Sequence, residues 1–417
     1  MGVARDILHI DFNNFYASVE CLDHPELDNV PVVVGGNEEA RHGIVLSKNE
    51  LAKKKYGVKT GEVLWKVRER CPDVVILRPH MERYAAYSRL ARGLYGEYTD
   101  RIENFGLDEA WLDVTGSGTF GSPRRIADEL RERIRHEFGI TASVGVSFNK
   151  VFAKLGSDLK KPDATTEISE ENFRARIWGL NVSELLYVGR ATQRKFARVG
   201  IITIGDLARF DRKLIQNLFG KHGTMLWAFA NGLDVSPVAL ATDDGVVKSV
   251  GNSTTTPRDL VCDEDVKLVL YAIADSVAGR LRKGGLAGRT VTVSIRDRDL
   301  FTFERQCKIN HPTQLSGEIA ETALSLFRRN YTWMKPVRAL GIQVSDLTQD
   351  VTCEQLDIFG EVYRRVKKGD IERAVDTIRG RYGHDTLLRA SMMTAPDLTG
   401  IRPAEGNFMH TSAIVRN

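Results

Sequence analysis

Cysteine is scarce and scattered. The five in 417 residues, Cys21, Cys71, Cys262, Cys307 and Cys353, form no Cys-x-x-Cys pair. This excludes a disulfide framework and a cysteine zinc site, and reads as the reduced thiols of a cytosolic protein. Long hydrophobic runs are missing too. No stretch approaches the ~20 apolar residues of a membrane span, and no basic-then-apolar leader opens the chain. A cytoplasmic location with no membrane partner is expected. No strong excess of one charge exists either: the net charge of +4 does not by itself identify a polyanion-binding protein. Its distribution says more. Residues 248–346 carry 15 Lys and Arg against 11 Asp and Glu, and residues 171–247 carry 10 against 7. A basic C-terminal half suits a bound polyanion, a solvated surface being the plainer reading. With 42% hydrophobic and 27% charged residues, the composition is that of a globular protein long enough for two to four domains.

Against this background, two acidic clusters are set in apolar sequence. Ile7-Leu8-His9-Ile10-Asp11 leads into Phe12-Asn13-Asn14-Phe15-Tyr16, and Phe105-Gly106-Leu107 leads into Asp108-Glu109-Ala110-Trp111-Leu112-Asp113. Both read as strands. A carboxylate in a buried strand is costly unless compensated, and divalent metal is the usual compensation for three of them. Two such ions suit in-line phosphoryl transfer, clamping the attacking and leaving oxygens.

The fold class reads as α+β. A strand at 8–12, a helix at 82–98, two strands flanking Asp108-Glu109, a helix at 124–138 and a strand at 140–147 give a ferredoxin-like β-α-β-β-α-β order. Residues 19–79 are inserted after the first strand. Ser122 caps the second helix, Pro123 takes its first position and Gly139 stops it. Strand neighbours face opposite sides, so Asp108 and Glu109 reach one site only if the strand begins or bends there, which Gly106 permits. Residues 171–240 read as helices. Within them, Val188-Gly189-Arg190 and Val199-Gly200-Ile201 resemble a helix-hairpin-helix whose glycine turn offers N–H groups to a DNA phosphate; an ordinary αα-hairpin stays open. Residues 241–245 read as a linker. A second β-α-β-β-α-β order follows, with strands at 248–253, 290–296, 301–309 and 337–344, helices at 264–282 and 312–329, and a tight turn at Asp297-Arg298-Asp299. It lacks a matching acidic cluster and reads as a binding domain.

Five segments in order carry a family resemblance: HIDFNNFYASVE (9–20), YGVKTGE (56–62), FGLDEAWLDVTGS (105–117), TASVGVSFNKVFAKLGSDLKKPD (141–163) and KSVGNSTTTPRDL (248–260). Over residues 5–360 the chain resembles the Y-family, or translesion, DNA polymerases of the DinB (DNA polymerase IV) type. The resemblance implies a multidomain right-hand polymerase. The palm would be 1–18 and 80–170, the fingers 19–79, the thumb 171–240, the linker 241–245, the little finger 246–346 and the tail 347–417. It implies low-fidelity, template-directed addition of deoxynucleotides to a primer, lesion bypass, no proofreading exonuclease, and a monomer that binds primer-template DNA and dNTP. By similarity Asp11 and Asp108 bridge two Mg²⁺ ions, for which Mn²⁺ can substitute. Glu109 binds the catalytic metal and the Phe12 carbonyl the nucleotide metal. Asp113 belongs to the motif but is not a ligand. Tyr16 matches the steric gate under the incoming sugar, with Asn14 and Phe15 beside it at the nucleotide. Lys161 matches the lysine on the triphosphate, and Gly189, Arg190 and Gly200 lie on the DNA backbone.

The sequence departs from the family in four places. Where many members carry Tyr-x-x-Arg toward the triphosphate, it has Leu51 followed by Lys53 and Lys54. Either lysine can be the counterpart, and neither can form the bidentate fork of arginine. Gly106-Leu107 replaces Ser-Ile, Asn13 replaces an Asp that is not a direct ligand, and Tyr187 stands where the family often has the first hairpin glycine. After the little finger, Gln355-Leu356-Asp357-Ile358-Phe359 resembles the bacterial sliding-clamp peptide, with Gln355, Leu356, Ile358 and Phe359 as anchors on a flexible tail. Residues 367–380 read as a helix, and the last twenty or so as loose. Two other readings stay open: a nucleotidyl cyclase-like palm enzyme, and a non-catalytic DNA- and clamp-binding scaffold.

Overall fold

The computed structural model describes residues 5–36, 43–243, 245–349 and 361–400. They form two compact units that part at the expected linker, near residue 244. No helix among the described residues is long and apolar enough to cross a membrane.

In the first unit, β1 (Ile7–Phe12) is buried along its whole length, which places it in the middle of a sheet covered on both faces. It leads into α1 (Phe15–Cys21). The inserted segment has its own small sheet of β2 (Val32–Gly35), β3 (Val45–Lys48) and β4 (Val75–Leu77) in the order β3-β2-β4, with α2 (Glu50–Tyr56) and α3 (Leu64–Arg70). Helix α4 (Met81–Gly96) returns the chain to the main sheet through β5 (Ile102–Asn104) and β6 (Glu109–Asp113).

Helix α5 (Pro123–Phe138) has the expected ends. Ser122 Oγ accepts the Arg125 amide, and Gly139, at φ 71, closes on the Arg135 carbonyl. Its stripe of Ile126, Leu130 and Ile134 is buried. Strand β7 (Ala142–Ser147), helix α6 (Lys150–Leu159) and β8 (Thr165–Ile168) follow. The sheet order is β5-β6-β1-β7-β8. The first strand thus lies between the second hairpin strand and β7, the ferredoxin-like arrangement, with β8 added parallel to β7. Short helices α7 (Phe173–Ile177), α8 (Arg190–Ala197) and α9 (Ile204–Arg209) and the longer α10 (Arg212–Ala230) gather around a separate core that includes Phe152, Phe196 and Leu226.

The second unit has strands β9 (Ser249–Leu260), β10 (Leu286–Asp297), β11 (Thr302–Thr313) and β12 (Val337–Gln349), with α11 (Asp263–Lys283) and α12 (Ser316–Asn330). Their order is β11-β10-β12-β9, every neighbouring pair antiparallel. The chain order matches the first unit, but here the first strand is an edge. The strands outrun their expected limits, because pairing continues past the hydrophobic stretches. Pro312 accordingly lies inside the end of β11 instead of starting a helix: Thr313 still pairs with Gly288 across a register shift, a place where a missing N–H is tolerated. At the β10–β11 turn the Asp297 carboxylate accepts the amides of Asp299 and Phe301 at 2.9 and 3.0 Å.

The tail has its expected helix at 367–380, longer than read from the sequence. Helix α13 (Glu361–Tyr382) and the short α14 (Pro396–Thr399) fold back on this unit. Arg282, nearly buried, pairs with Glu372 and Asp376, Arg379 meets Asp275 at 2.6 Å, and Leu398 joins the core. The expected clamp residues Gln355, Leu356, Ile358 and Phe359 and the last seventeen positions lie outside the described residues.

Contact between α6 and β7 sets how closely functional side chains approach the sheet. A Cβ on Gly145 would sit 1.9 Å from the Ala153 carbonyl oxygen and 2.6 Å from the Ser157 amide. No side chain fits without separating helix from strand. Gly145→Ala is expected to cost about 3 kcal/mol, read as a lower urea midpoint for the first unit.

Candidate active site

Strands β1 and β6 place Asp11 directly opposite Glu109. One residue on, the Phe12 amide donates to the Asp108 carbonyl at 3.1 Å. Asp108 lies just before β6, after Gly106 at φ 93. That bend releases it from strand alternation, so all three carboxylates act on one another. Burial and then the charges of Glu109 and Asp11 push the Asp108 carboxyl up to about 7. Burial and then Glu109 raise Asp11 as well. Asp113 is elsewhere: its carboxylate accepts the Thr115 amide at 3.1 Å and the Thr115 hydroxyl at 2.5 Å.

Two ammonium groups answer this crowding. Lys154, on α6, is 3.1 Å from Asp11 Oδ2 and 2.7 Å from Glu109 Oε2. Lys161 is 2.7 Å from the same Asp11 oxygen and 2.8 Å from Asp158. Burial works against both charges, but the surrounding acids outweigh it and raise both lysines. Asn13 holds the Lys161 loop, its Oδ1 accepting the Asp163 amide at 2.8 Å while its Nδ2 donates to Ser143.

The donor set fits a divalent cation. Glu109 Oε2 is buried and accepts no well-directed hydrogen bond despite the nearby ammonium. Hard carboxylate oxygens crowded beyond what two lysines neutralise are the ligands such ions take. No closed cage of three ligands is preformed among the described residues.

His9 was not foreseen. It is fully buried on β1, with Nδ1 2.8 Å from Ser157 Oγ and Nε2 3.3 Å from Glu109 Oε2. Burial and then Lys154 hold its basicity far below the usual range. The signal was a histidine inside an otherwise apolar buried strand. Lys154 carried a similar signal, a lone cation on the buried stretch of α6.

On the inserted side, Asn14 begins α1 at φ 51 and donates to Glu50 at 3.1 Å. Phe15 is core. Tyr16 is half-buried, and burial and then Asp108 raise its phenol. Lys53 and Lys54 pair with Glu50 at 3.7 and 3.0 Å, and Lys54 is the more exposed. Lys48, also unforeseen, donates to Thr60 at 2.8 Å. Burial, then Lys53, and more weakly Lys161, depress its basicity. Three cations therefore share one region, and Lys53 faces it.

In the hairpin before α8, Tyr187 adopts φ 69 and Val188 donates to the Leu185 carbonyl at 3.0 Å. This is a turn that favours glycine at the Tyr187 position. Gly189 caps α8 with ordinary extended backbone, Arg190 opens the helix, and Gly200, at φ 81, lies in the turn beyond its cap, Arg198.

A group ionised less readily in the folded than in the unfolded chain loses stability as pH rises from its unfolded towards its folded value. For Asp108 that window runs from 3.8 to about 7. Without metal, Asp108→Asn is expected to stabilise the first unit by on the order of 2 kcal/mol at pH 8, and by less at pH 5, read as melting temperature.

Comparison with known proteins extends this geometry along the chain. Residues 10–158 match the impB/mucB/samB family, 247–358 the C-terminal domain of that family, and 184–234 the thumb domain of DNA polymerase-iota. The chain is 50% identical to a DNA polymerase IV of Acetivibrio thermocellus, over 93% of this chain and 98% of that one. It is 38% identical to a DNA polymerase IV 2 of Bacillus subtilis, over 93% and 95%. A solved structure of a chimeric Y-family DNA polymerase shares the fold at a TM-score of 0.73 and 23% identity, covering 82% of this chain and 98% of that one. The chain belongs to the Y-family DNA polymerases, in their DNA polymerase IV group.

Proposed function

We infer that the protein is a template-directed DNA polymerase that extends a primer 3′ end and tolerates damaged template, without proofreading. The observation that carries this is the convergence of Asp11, Asp108 and Glu109 at one strand end, in a chain half identical to a DNA polymerase IV. On this reading the main sheet with α4 to α6 is the palm, the inserted segment the fingers, the helices α7 to α10 the thumb and the second unit the little finger.

Asp11, Asp108, Glu109 and the Phe12 carbonyl would hold Mg²⁺, as two ions. When bound, metal supplies acidification of the primer hydroxyl and charge neutralisation at the phosphates. Lys161 holds the triphosphate as a point charge, with Lys48 and Lys53 supplying further positive potential. Tyr16 lies flat under the sugar and rejects a 2′-hydroxyl by shape. Gly189, Arg190 and Gly200 meet the DNA backbone. The peptide at Gln355, Leu356, Ile358 and Phe359 would dock on a sliding clamp.

Primer extension with single dNTPs tests the reading. Wild type extends, Asp108→Ala loses at least about a thousandfold in rate, and Tyr16→Ala gains ribonucleotide insertion. A wild type that binds primed DNA without extending it, or excises a mismatched end, defeats the assignment. A second outcome is independent of turnover. Mg²⁺ should raise the melting temperature of wild type and leave that of Asp108→Asn nearly unmoved.

A further inference from the structure

The Tyr16 ring has a second ring behind it. Tyr84, on α4, is fully buried and lies face to face with Tyr16, the centroids 4.1 Å apart and the planes 6° from parallel. Phe15 closes the side of the pair, 5.9 Å from Tyr84 and 5.5 Å from Tyr16. The Tyr84 hydroxyl donates to Glu20 Oε1. Glu20 is on α1, the helix that carries Tyr16, and is only 4% exposed. It also accepts the His80 amide at 3.2 Å and lies 3.0 Å from His80 Nδ1. Burial and then the bond to Glu20 raise the Tyr84 phenol, which keeps it a donor.

Packing alone does not ask for this arrangement. An apolar residue would fill the Tyr84 position, and a buried carboxylate costs free energy unless its bonds do something in return. What the bonds do is fix an orientation. Glu20 ties the far end of the Tyr84 ring to α1 and to the start of α4, so the ring cannot rotate or slide. A flat neighbour held in this way leaves Tyr16 one plane to occupy.

Resting on the reading of Tyr16 as the ring under the sugar, we propose that Tyr84, anchored by Glu20, is a specificity-determining support for it. Discrimination against ribonucleotides then depends on how stiffly Tyr16 is backed. A ring free to tilt yields to a 2′-hydroxyl; a stacked and tethered ring does not. Tyr84 touches no substrate and acts only through Tyr16, as a positioning residue.

The test is single-nucleotide insertion of CTP and dCTP opposite template G, read as the ratio of their kcat/KM values. Tyr84→Leu is expected to raise the CTP:dCTP ratio about three- to tenfold, the factor a stacked aromatic pair controls. Tyr84→Phe keeps the ring and loses only the tether, and should raise the ratio about twofold. The double variant Tyr16→Ala with Tyr84→Leu should match Tyr16→Ala alone, because the support then has nothing to support. A merely structural role lowers both substrates together and leaves the ratio at its wild-type value, which overturns the inference. So does a double variant whose effects multiply. If Tyr84→Leu fails to fold, Tyr84→Phe decides, and an unchanged ratio there removes the role of Glu20. An unchanged ratio in Tyr16→Ala defeats instead the underlying reading of Tyr16.

Discussion

The structure turns on one cross-strand pair, Asp11 opposite Glu109. Two acids at facing positions of a buried antiparallel pair repel, and Asp108 adds a third. The rest of the first unit is arranged around that cost. A one-residue slip of β1 would turn Asp11 away and point Ile10 at the site. The apolar run Ile7, Leu8 and Ile10, all fully buried, prevents the slip. The hydrophobic core thereby holds the carboxylates near enough to act on one another.

Relief arrives from α6 and the loop that follows it. Lys154 spans Asp11 and Glu109, and Lys161 spans Asp11 and Asp158. Both depend on the helix lying close to the sheet, which Gly145 permits by offering no side chain to the Ala153 carbonyl. The ammonium groups are point counter-charges, unlike an arginine fork, and both are largely buried. They hold the acids together. The net electrostatic strain that remains, visible in the raised Asp108, is stability given up where binding needs it.

Much of this was legible in the sequence, and the reasons differ by element. The α5 boundaries could be read because Ser122, Pro123 and Gly139 act locally, through one cap bond each way. The β-α-β-β-α-β order could be read twice from hydrophobic periods, but not the two different strand orders, since period says nothing about which strand lies beside which. Asp108 and Glu109 could be seen to share a site only through the bend at Gly106. The supports were harder to read, although His9 and Lys154 left a trace as polar residues within buried segments. The His9–Ser157, Lys154–Asp11 and Tyr84–Glu20 contacts join residues 148, 143 and 64 positions apart. Their role appears only when tertiary structure closes those gaps. Pro312 was misread because a helix pattern was extended back through a residue that the sheet keeps.

The family departures become coherent when geometry and charge are taken separately. Tyr187 adopts the left-handed backbone that glycine takes most readily, at a cost of roughly 1 kcal/mol or more, so the turn forms against its sequence preference. In the inserted segment the reverse holds. With Leu51 in place of tyrosine and lysine in place of arginine, shape-specific recognition of a phosphate is gone, yet positive charge is not. Lys48 and Lys53 share a region with Lys161, and burial, then Lys53 and more weakly Lys161, depress the basicity of Lys48. Like charges brought together are held at a cost, which Glu50 offsets in part. Point charges are less exacting about angle than a fork. On the proposed reading, a site built from them would accept a phosphate chain in more than one pose, as tolerance of a distorted template pair asks.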